Sequence, residues 1–237
     1  MTKVSIKPAF GWNTQDAFIL GISMGSLNHE GSSLAAIVQK INQRGFRGGL
    51  IDLSDTLNRY TYRAIEGLSE TAAADKARKD GDQWLSRNRN ILAQLRMSAP
   101  VRRWDEWLNH PGYPAMRATF QKLYDNSVLL RTAIDNDVHR FYRRRYGLTT
   151  MDDGSKCLSR MYYLEELAVQ SVIASEKPAT FLYPGKQLDC FKVIRDGLIE
   201  GAPSGLANST YTRLVLHSFD TKKQDRPAPP SRTLALV

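Results

Sequence analysis

The chain has 237 residues and sets 33 lysines and arginines against 24 aspartates and glutamates, a net charge of +9. A hydrophobic fraction of 42% fills one sizeable core and excludes a disordered or collagen-like chain. The longest apolar run, Ala17 to Ile22, is far short of the ~20 residues of a membrane helix, and the surplus of positive charge favours a polyanionic partner.

In chain order, residues 1–13 read as an irregular lead-in. Ala17–Ser23 reads as a buried strand and Leu50–Leu53 as a second. Between them a helix runs from a cap at Ser32 or Ser33 to about Arg44, with Leu34, Ile37, Val38 and Ile41 on one face. A strand–helix–strand unit is the mark of a parallel sheet. The loops after its strands share one edge, so Ser23 and Asp55 are expected to face one crevice. Helices are then predicted over Thr71–Arg96, Trp104–Asn109, Pro114–Tyr146 (one or two) and Ser155–Ser175. Thr180–Tyr183 returns as a strand, followed by a helix around Asp189–Ile199 and a strand over Tyr211–Leu216. The fold class is α/β with a helical layer in its middle: one domain over residues 1–219, then a basic, proline-containing tail over 220–237 expected to be disordered. Cys157 and Cys190 form no CxxC and have no metal-ligand spacing. No metal or cofactor is expected. No small-residue cleavage site follows the Ala17–Ile22 run, and a cytoplasmic enzyme fits.

Gly21-Ile22-Ser23-Met24-Gly25 matches the nucleophile-elbow pattern of α/β-hydrolases. Only one strand precedes it, however, and His110, His139 and His217 lie in no recognisable triad setting. From the pattern alone, Ser23 is either a nucleophile or a serine capping the next helix. The stretch Ile22-Ser23-Met24-Gly25-Ser26, then His29-Glu30-Gly31, Asp55-Thr56-Leu57-Asn58-Arg59, Tyr162-Tyr163-Leu164-Glu165-Glu166 and Tyr183-Pro184, resembles the tRNA-dependent cyclodipeptide synthases. The motifs occur in the family's order and span residues 17–216. Ser26, Tyr183 and Pro184 match the pattern of the family's XYP group. The resemblance implies a Rossmann-like parallel sheet surrounded by helices, as in the catalytic domain of class I aminoacyl-tRNA synthetases, whose H-x-G-H and K-M-S-K-S motifs are missing here. It also implies a monomeric enzyme that joins the aminoacyl groups of two aminoacyl-tRNAs into a cyclic dipeptide, through aminoacyl and dipeptidyl esters on Ser23. Tyr162 and Glu166 would hold the substrate ammonium, and Tyr183 would assist proton transfer.

The residues themselves support part of this. At ~100° per residue, Leu158, Tyr162, Glu166, Val169 and Ile173 share one helix face, so Glu166 interrupts an apolar stripe. It either faces a cavity or finds solvent or a distant arginine, and Glu165 is the competing carboxylate. Tyr183 is equally readable as a core tyrosine. His29 is a candidate base for Ser23, although a structural or solvated loop histidine is the commoner case. Backbone amides near Gly25 and Ser26 are candidates for an oxyanion site. By likeness to the family's loops, Gly21, Met24, Gly25, Ser26, Leu53, Asp55, Val169 and Phe181 line the substrate pockets, and the basic helix holding Lys76, Arg78, Lys79, Arg87, Arg89 and Arg96 takes the tRNA phosphates. Each charge could equally belong to a solvated helix face. Arg140–Arg145, interleaved with Phe141 and Tyr142, is a second basic cluster. An α/β serine hydrolase using Ser23 and a non-catalytic RNA-binding module are the competing readings.

Overall fold

The computed structural model describes residues 2–7, 16–176 and 179–218. Six strands form one sheet: β1 (Thr2–Lys7), β2 (Ala17–Ser23), β3 (Gly48–Ser54), β4 (Val101–Arg103), β5 (Thr180–Tyr183) and β6 (Thr210–Ser218), in the order β1-β6-β5-β2-β3-β4. Strands β6, β5, β2, β3 and β4 run parallel, and β1 pairs antiparallel with β6. The irregular lead-in expected over residues 1–13 is therefore corrected in part, since Thr2–Lys7 is an edge strand. Alternating Lys and small or apolar residues hid it, because its partner lies at the far end of the chain. Residues 8–13 and the tail over 220–237 lie outside the described residues.

The sheet is covered on both sides, as a parallel sheet requires. Phe18, Leu20, Ile22, Ile51, Leu53 and Leu182 point to one side and pack with Leu34, Ile37 and Ile41 of α1 (Gly31–Arg44) and Trp84 of the long helix over Glu70–Leu92. The intervening residues Ile19 and Phe181 point the other way, against Val169, Val172 and Ile173 of the helix over Asp153–Glu176. The apolar stripe predicted for α1 is thus the buried stripe. Its start is corrected: Glu30 precedes the first turn, with no side-chain cap, and Ser32 and Ser33 lie inside it.

After β3 comes α2 (Arg59–Glu66), then α3 (Glu70–Leu92), whose first turn is capped by Ser69 accepting from the Ala72 amide. Helix α3 stops at Leu92, so Arg96 lies beyond it and the basic helix is shorter than expected. Its buried seam of Ala73, Ala77, Gly81, Trp84 and Asn88 lets it press close to the sheet edge. A Cβ on Gly81 would lie 2.5 Å from Asp55 Oδ2. Then follow α4 (Trp104–Leu108), α5 (Tyr113–Asn126), α6 (Val128–Tyr146) and α7 (Asp153–Glu176), the expected Pro114–Tyr146 run breaking at Ser127, which caps α6. Helix α8 (Asp189–Arg195) is shorter than expected, and a four-residue turn, α9 (Ser204–Ala207), leads into β6. Among the described residues, no helix is long and apolar enough to cross a membrane.

From β2 the chain moves to β3 and β4 on one side, then returns to β5 on the other. The order reverses between β2 and β5, and the crevice beyond the carboxyl ends of strands at such a reversal is where open α/β sheets bind ligands. Ser23 ends β2 and Tyr183 ends β5.

Candidate active site

Residues Gly21, Ser23, Phe181 and Tyr183 lie on the α7 side of the sheet by strand alternation. Gly21 leaves room for the Tyr183 ring, whose Cδ2 lies 3.6 Å from where a Cβ would stand. Ser23 Oγ and the Tyr183 hydroxyl are 3.0 Å apart, a hydrogen bond across 160 residues of chain. Burial raises the tyrosine's pKa, and the hydrogen bond from Ser23 and the charge of Arg144 moderate the rise.

The loop after β2 is held from three sides. The Ser23 amide donates to His29 Nδ1 at 2.6 Å, and the His29 carbonyl accepts from Trp84 Nε1 at 3.0 Å. Gly25 adopts φ +69, a left-handed conformation that suits glycine, and its carbonyl accepts from Arg145 Nη1 at 2.7 Å. Asn28 Nδ2 donates to the Pro184 carbonyl at 3.2 Å, tying this loop to the one after β5. His29 is 1% exposed, and burial lowers its pKa to about 4, so it is neutral at pH 7. It grips the serine's backbone, its ring meets Tyr183 edge-on at 5.3 Å, and the partner of the Ser23 hydroxyl is Tyr183. The structural reading of His29 is therefore the one the geometry bears out, and the Ser-His contact of a hydrolase is not formed.

The two adjacent glutamates of α7 have opposite surroundings. Glu165 is 2% exposed and saturated, accepting from Arg59 Nη1 and Nη2 (2.8 and 2.5 Å), Trp104 Nε1 (2.8 Å) and the Tyr60 hydroxyl (2.9 Å). Glu166 shares the sheet-facing stripe with Tyr162, and its Oε2 is buried with no hydrogen-bond partner. Its pKa is raised to about 8, first by burial and then by the charges of Asp137 and Asp52. The Tyr162 phenol is pushed well up by burial and by Glu166. Ser23, Tyr183, Tyr162 and Glu166 thus converge, and together they offer a nucleophilic hydroxyl, two phenols and an unmatched carboxyl. That set can hold an ammonium group beside an ester.

The other expected site residues divide. Gly21, Gly25 and Ser26 belong to the Ser23 strand and loop, and Phe181 and Val169 form apolar wall beneath them. Met24 instead packs on the α1 side, and Leu53, wholly buried, faces that side too. Leu53 is therefore corrected from pocket to core: its alternation in β3 sends it away from Ser23. Asp55 is likewise corrected. Its carboxylate is 0% exposed and accepts from Arg103 Nε at 2.6 Å and from the amides of Thr56 (2.8 Å) and Trp104 (3.3 Å). It anchors α4 to the sheet edge. Of the basic residues, Lys76 pairs with Glu66 at 2.6 Å, Arg78 with Asp105 at 2.7 Å and Arg87 with Glu30 at 3.1 Å. Lys79, Arg89 and Arg96 are exposed and carry no ion pair among the described residues. Arg145 holds Gly25 itself, which places the second basic cluster at the mouth of the site.

Sequence reasoning passed over Asp52 and Gln170. Asp52, paired in register with Gly21, accepts from Trp107 Nε1 at 3.0 Å and from Gln170 Nε2 at 2.9 Å, and burial raises its pKa to about 7. The available signal was a carboxylate inside an apolar strand, with Gln170 one turn after Glu166.

No family model matches the chain, and no curated protein sequence matches it. Solved structures do. A cyclodipeptide synthase from Fluoribacter dumoffii is 24% identical over 93% of this chain and 100% of that one, with a TM-score of 0.83. A cyclodipeptide synthase from Candidatus Glomeribacter gigasporarum, bound to Phe-tRNAPhe, is 22% identical over 90% of this chain and 93% of that one, with a TM-score of 0.65. A Mycobacterium tuberculosis protein, described as showing that cyclodipeptide synthetases are related to type I tRNA synthetases, is 16% identical over 90% and 93%, with a TM-score of 0.65. The chain has the Rossmann-like fold of these proteins, parallel sheet and flanking helices included.

Proposed function

We propose that this chain is a tRNA-dependent cyclodipeptide synthase of the XYP group, making two peptide bonds from two aminoacyl-tRNAs. The observation that carries the reading is the 3.0 Å Ser23–Tyr183 hydroxyl pair, set at the sheet's reversal and faced by the unpartnered carboxyl of Glu166 on this fold.

Ser23 Oγ attacks the ester carbonyl of the first aminoacyl-tRNA. The Oγ–C bond forms, the bond to the ribose oxygen breaks, and the serine proton passes by way of the Tyr183 hydroxyl to the departing ribose. One ester replaces another, so no nucleotide is consumed. The amides of Gly25 and Ser26 would receive the developing oxyanion. Glu166 and Tyr162 hold the α-ammonium, and Glu166, near neutrality when the site is empty, ionises against that cation. The deprotonated amine of a second aminoacyl-tRNA attacks the Ser23 ester, releasing the serine and giving a dipeptidyl-tRNA. Ser23 then takes the dipeptidyl group by a second ester exchange, and its free amine closes the ring and leaves Ser23 unmodified. Glu166 accepts the proton shed at amide formation. The exposed cations Lys79 and Arg89 on α3, with Arg143–Arg145, would grip the acceptor arm.

Expression in bacteria with mass spectrometry of the medium tests this. A cyclic dipeptide present with the wild type and absent with Ser23→Ala is the expected result. No cyclic dipeptide from any aminoacyl-tRNA, with acyl mass never found on Ser23, would overturn it.

A further inference from the structure

Among the described residues, the partly or largely covered arginines Arg59, Arg103, Arg140 and Arg160 each hold a carboxylate. Two others do not. Arg195, in the last turn of α8, lies over the rings of Phe191 and Tyr211 (5.6 and 5.1 Å) and donates through Nε to Ser209 Oγ at 3.0 Å, while its Nη1 is buried with no partner. Arg213 is the register neighbour of Tyr183 in β6, so the two side chains leave the same face of the sheet, and its Nε is also buried with no partner. Between them stands Tyr211, its hydroxyl donating to the Gly185 carbonyl at 3.1 Å. The charges of Arg195 and Arg213 both act on the Tyr211 phenol, and the register of β6 sets Arg213 beside Tyr183. Burial lowers the Arg195 pKa only to about 10, and the guanidinium is charged at pH 7.

Buried donors without acceptors are costly, and a structure keeps them where a ligand supplies the acceptor. Arg195 is already stacked and oriented, so its planar fork loses little freedom on meeting a carboxylate. The wall beneath Ser23 is apolar, built from Ile19, Val169 and Phe181, and suits a neutral first residue. Building on the synthase reading above, we propose that the second aminoacyl group carries a side-chain carboxylate, aspartyl or glutamyl, received by Arg195 Nη1 and Arg213 Nε beside Tyr183.

The test incubates the purified full-length protein with tRNA charged with all twenty amino acids and identifies the cyclic dipeptides by mass spectrometry. The expected product of the wild type contains one acidic residue. Arg195→Gln and Arg213→Gln should each lower that product about 10- to 100-fold relative to neutral products, the range expected for a charge-assisted hydrogen bond. Where a glutamine variant unfolds early, Arg195→Lys or Arg213→Lys keeps the charge without the fork and should retain part of the acidic product. Three results would overturn the proposal. The first is a wild type that makes cyclic dipeptides from neutral residues alone. The second is a uniform fall of all products in the variants, which would make these cations a grip for tRNA phosphate. The third is an acidic acyl mass on Ser23, which would put the carboxylate on the first donor. No cyclic dipeptide at all, with Ser23 never acylated, would instead remove the synthase reading itself.

Discussion

Exchanging either α7 glutamate for glutamine should move stability in opposite directions. Glu166 has a pKa raised from the ordinary 4.5 to about 8. The folded protein therefore holds a proton that the unfolded chain releases, and stability falls as pH rises from 4.5 to 8, with the full penalty above 8. At 1.36 kcal/mol per pH unit, a rise of this size sets a ceiling of about 5 kcal/mol at pH 9. Glu166 is partly exposed, so screening by solvent reduces the expected gain from Glu166→Gln at pH 9 to about 1–3 kcal/mol. Near pH 5 the substitution replaces one neutral group with another and should change little. Glu165→Gln takes the anion from beneath Arg59 and should cost about 3–5 kcal/mol at neutral pH, since it strands a buried cation. Urea unfolding at pH 5, 7 and 9, followed by circular dichroism, reads both. Product formation should be lost in Glu166→Gln; in Glu165→Gln it should survive at temperatures where that variant stays folded. A Glu166→Gln variant destabilised at every pH would mean that its carboxylate is held by partners, and the clamp would have to be abandoned.

Tyr183→Phe removes the partner of the Ser23 hydroxyl and should slow cyclic dipeptide formation by about 10- to 100-fold while leaving tRNA binding intact; equal rates would take Tyr183 out of the proton path. The His29 ring, with its pKa lowered to about 4, must stay neutral in the fold, so stability is lost as pH falls from 6.5 to 4. By that account His29→Gln should make the acid limb shallower by up to about 3 kcal/mol in urea titrations, and an unchanged limb would contradict a buried neutral ring. Gly25→Ala should cost about 1–2 kcal/mol in thermal unfolding through its left-handed φ, and more through the approach to Arg145; Arg145→Ala in the same chain should recover the second part only. Charge reversal at Lys79 and Arg89 should weaken tRNA binding and reduce its salt slope by about one for each phosphate no longer neutralised, and an unchanged slope would shift the tRNA to Arg143–Arg145.

The long-period features were legible. Short apolar runs and helix stripes located β2, β5 and the α1 core face, and periodicity alone put Tyr162 and Glu166 on one side of their helix. What escaped depended on how distant segments meet. Three residues make β4, and no pattern that short is readable until β3 supplies its partner. Asp55 looked like a crevice residue because it follows a strand. Its fate was decided by Arg103, 48 positions on, and by a glycine in α3 that admits it. The choice between Glu165 and Glu166 was likewise beyond periodicity, because it rests on where Arg59 and Trp104 arrive.

The segment Asp55–Arg59 illustrates how one motif can serve a site without touching it. Both of its charged residues are consumed by the fold: Asp55 secures the start of α4 through Arg103, and Arg59 clamps Glu165. Because Glu165 is tied down on four donors from two elements, α2 and α4, the rotation of α7 about its axis is fixed, and the next residue has nowhere to point but toward the sheet. An ordinary helix would turn an unpaired carboxylate out to water; here that rotation would drag a saturated ion pair out of the core, at several times the cost of burying one protonated carboxyl. The unsatisfied state of Glu166 is thus maintained by its satisfied neighbour. Arg59→Met should therefore change the Glu166 environment as well as stability, with the high-pH loss of stability attributable to Glu166 shrinking as α7 gains freedom to turn.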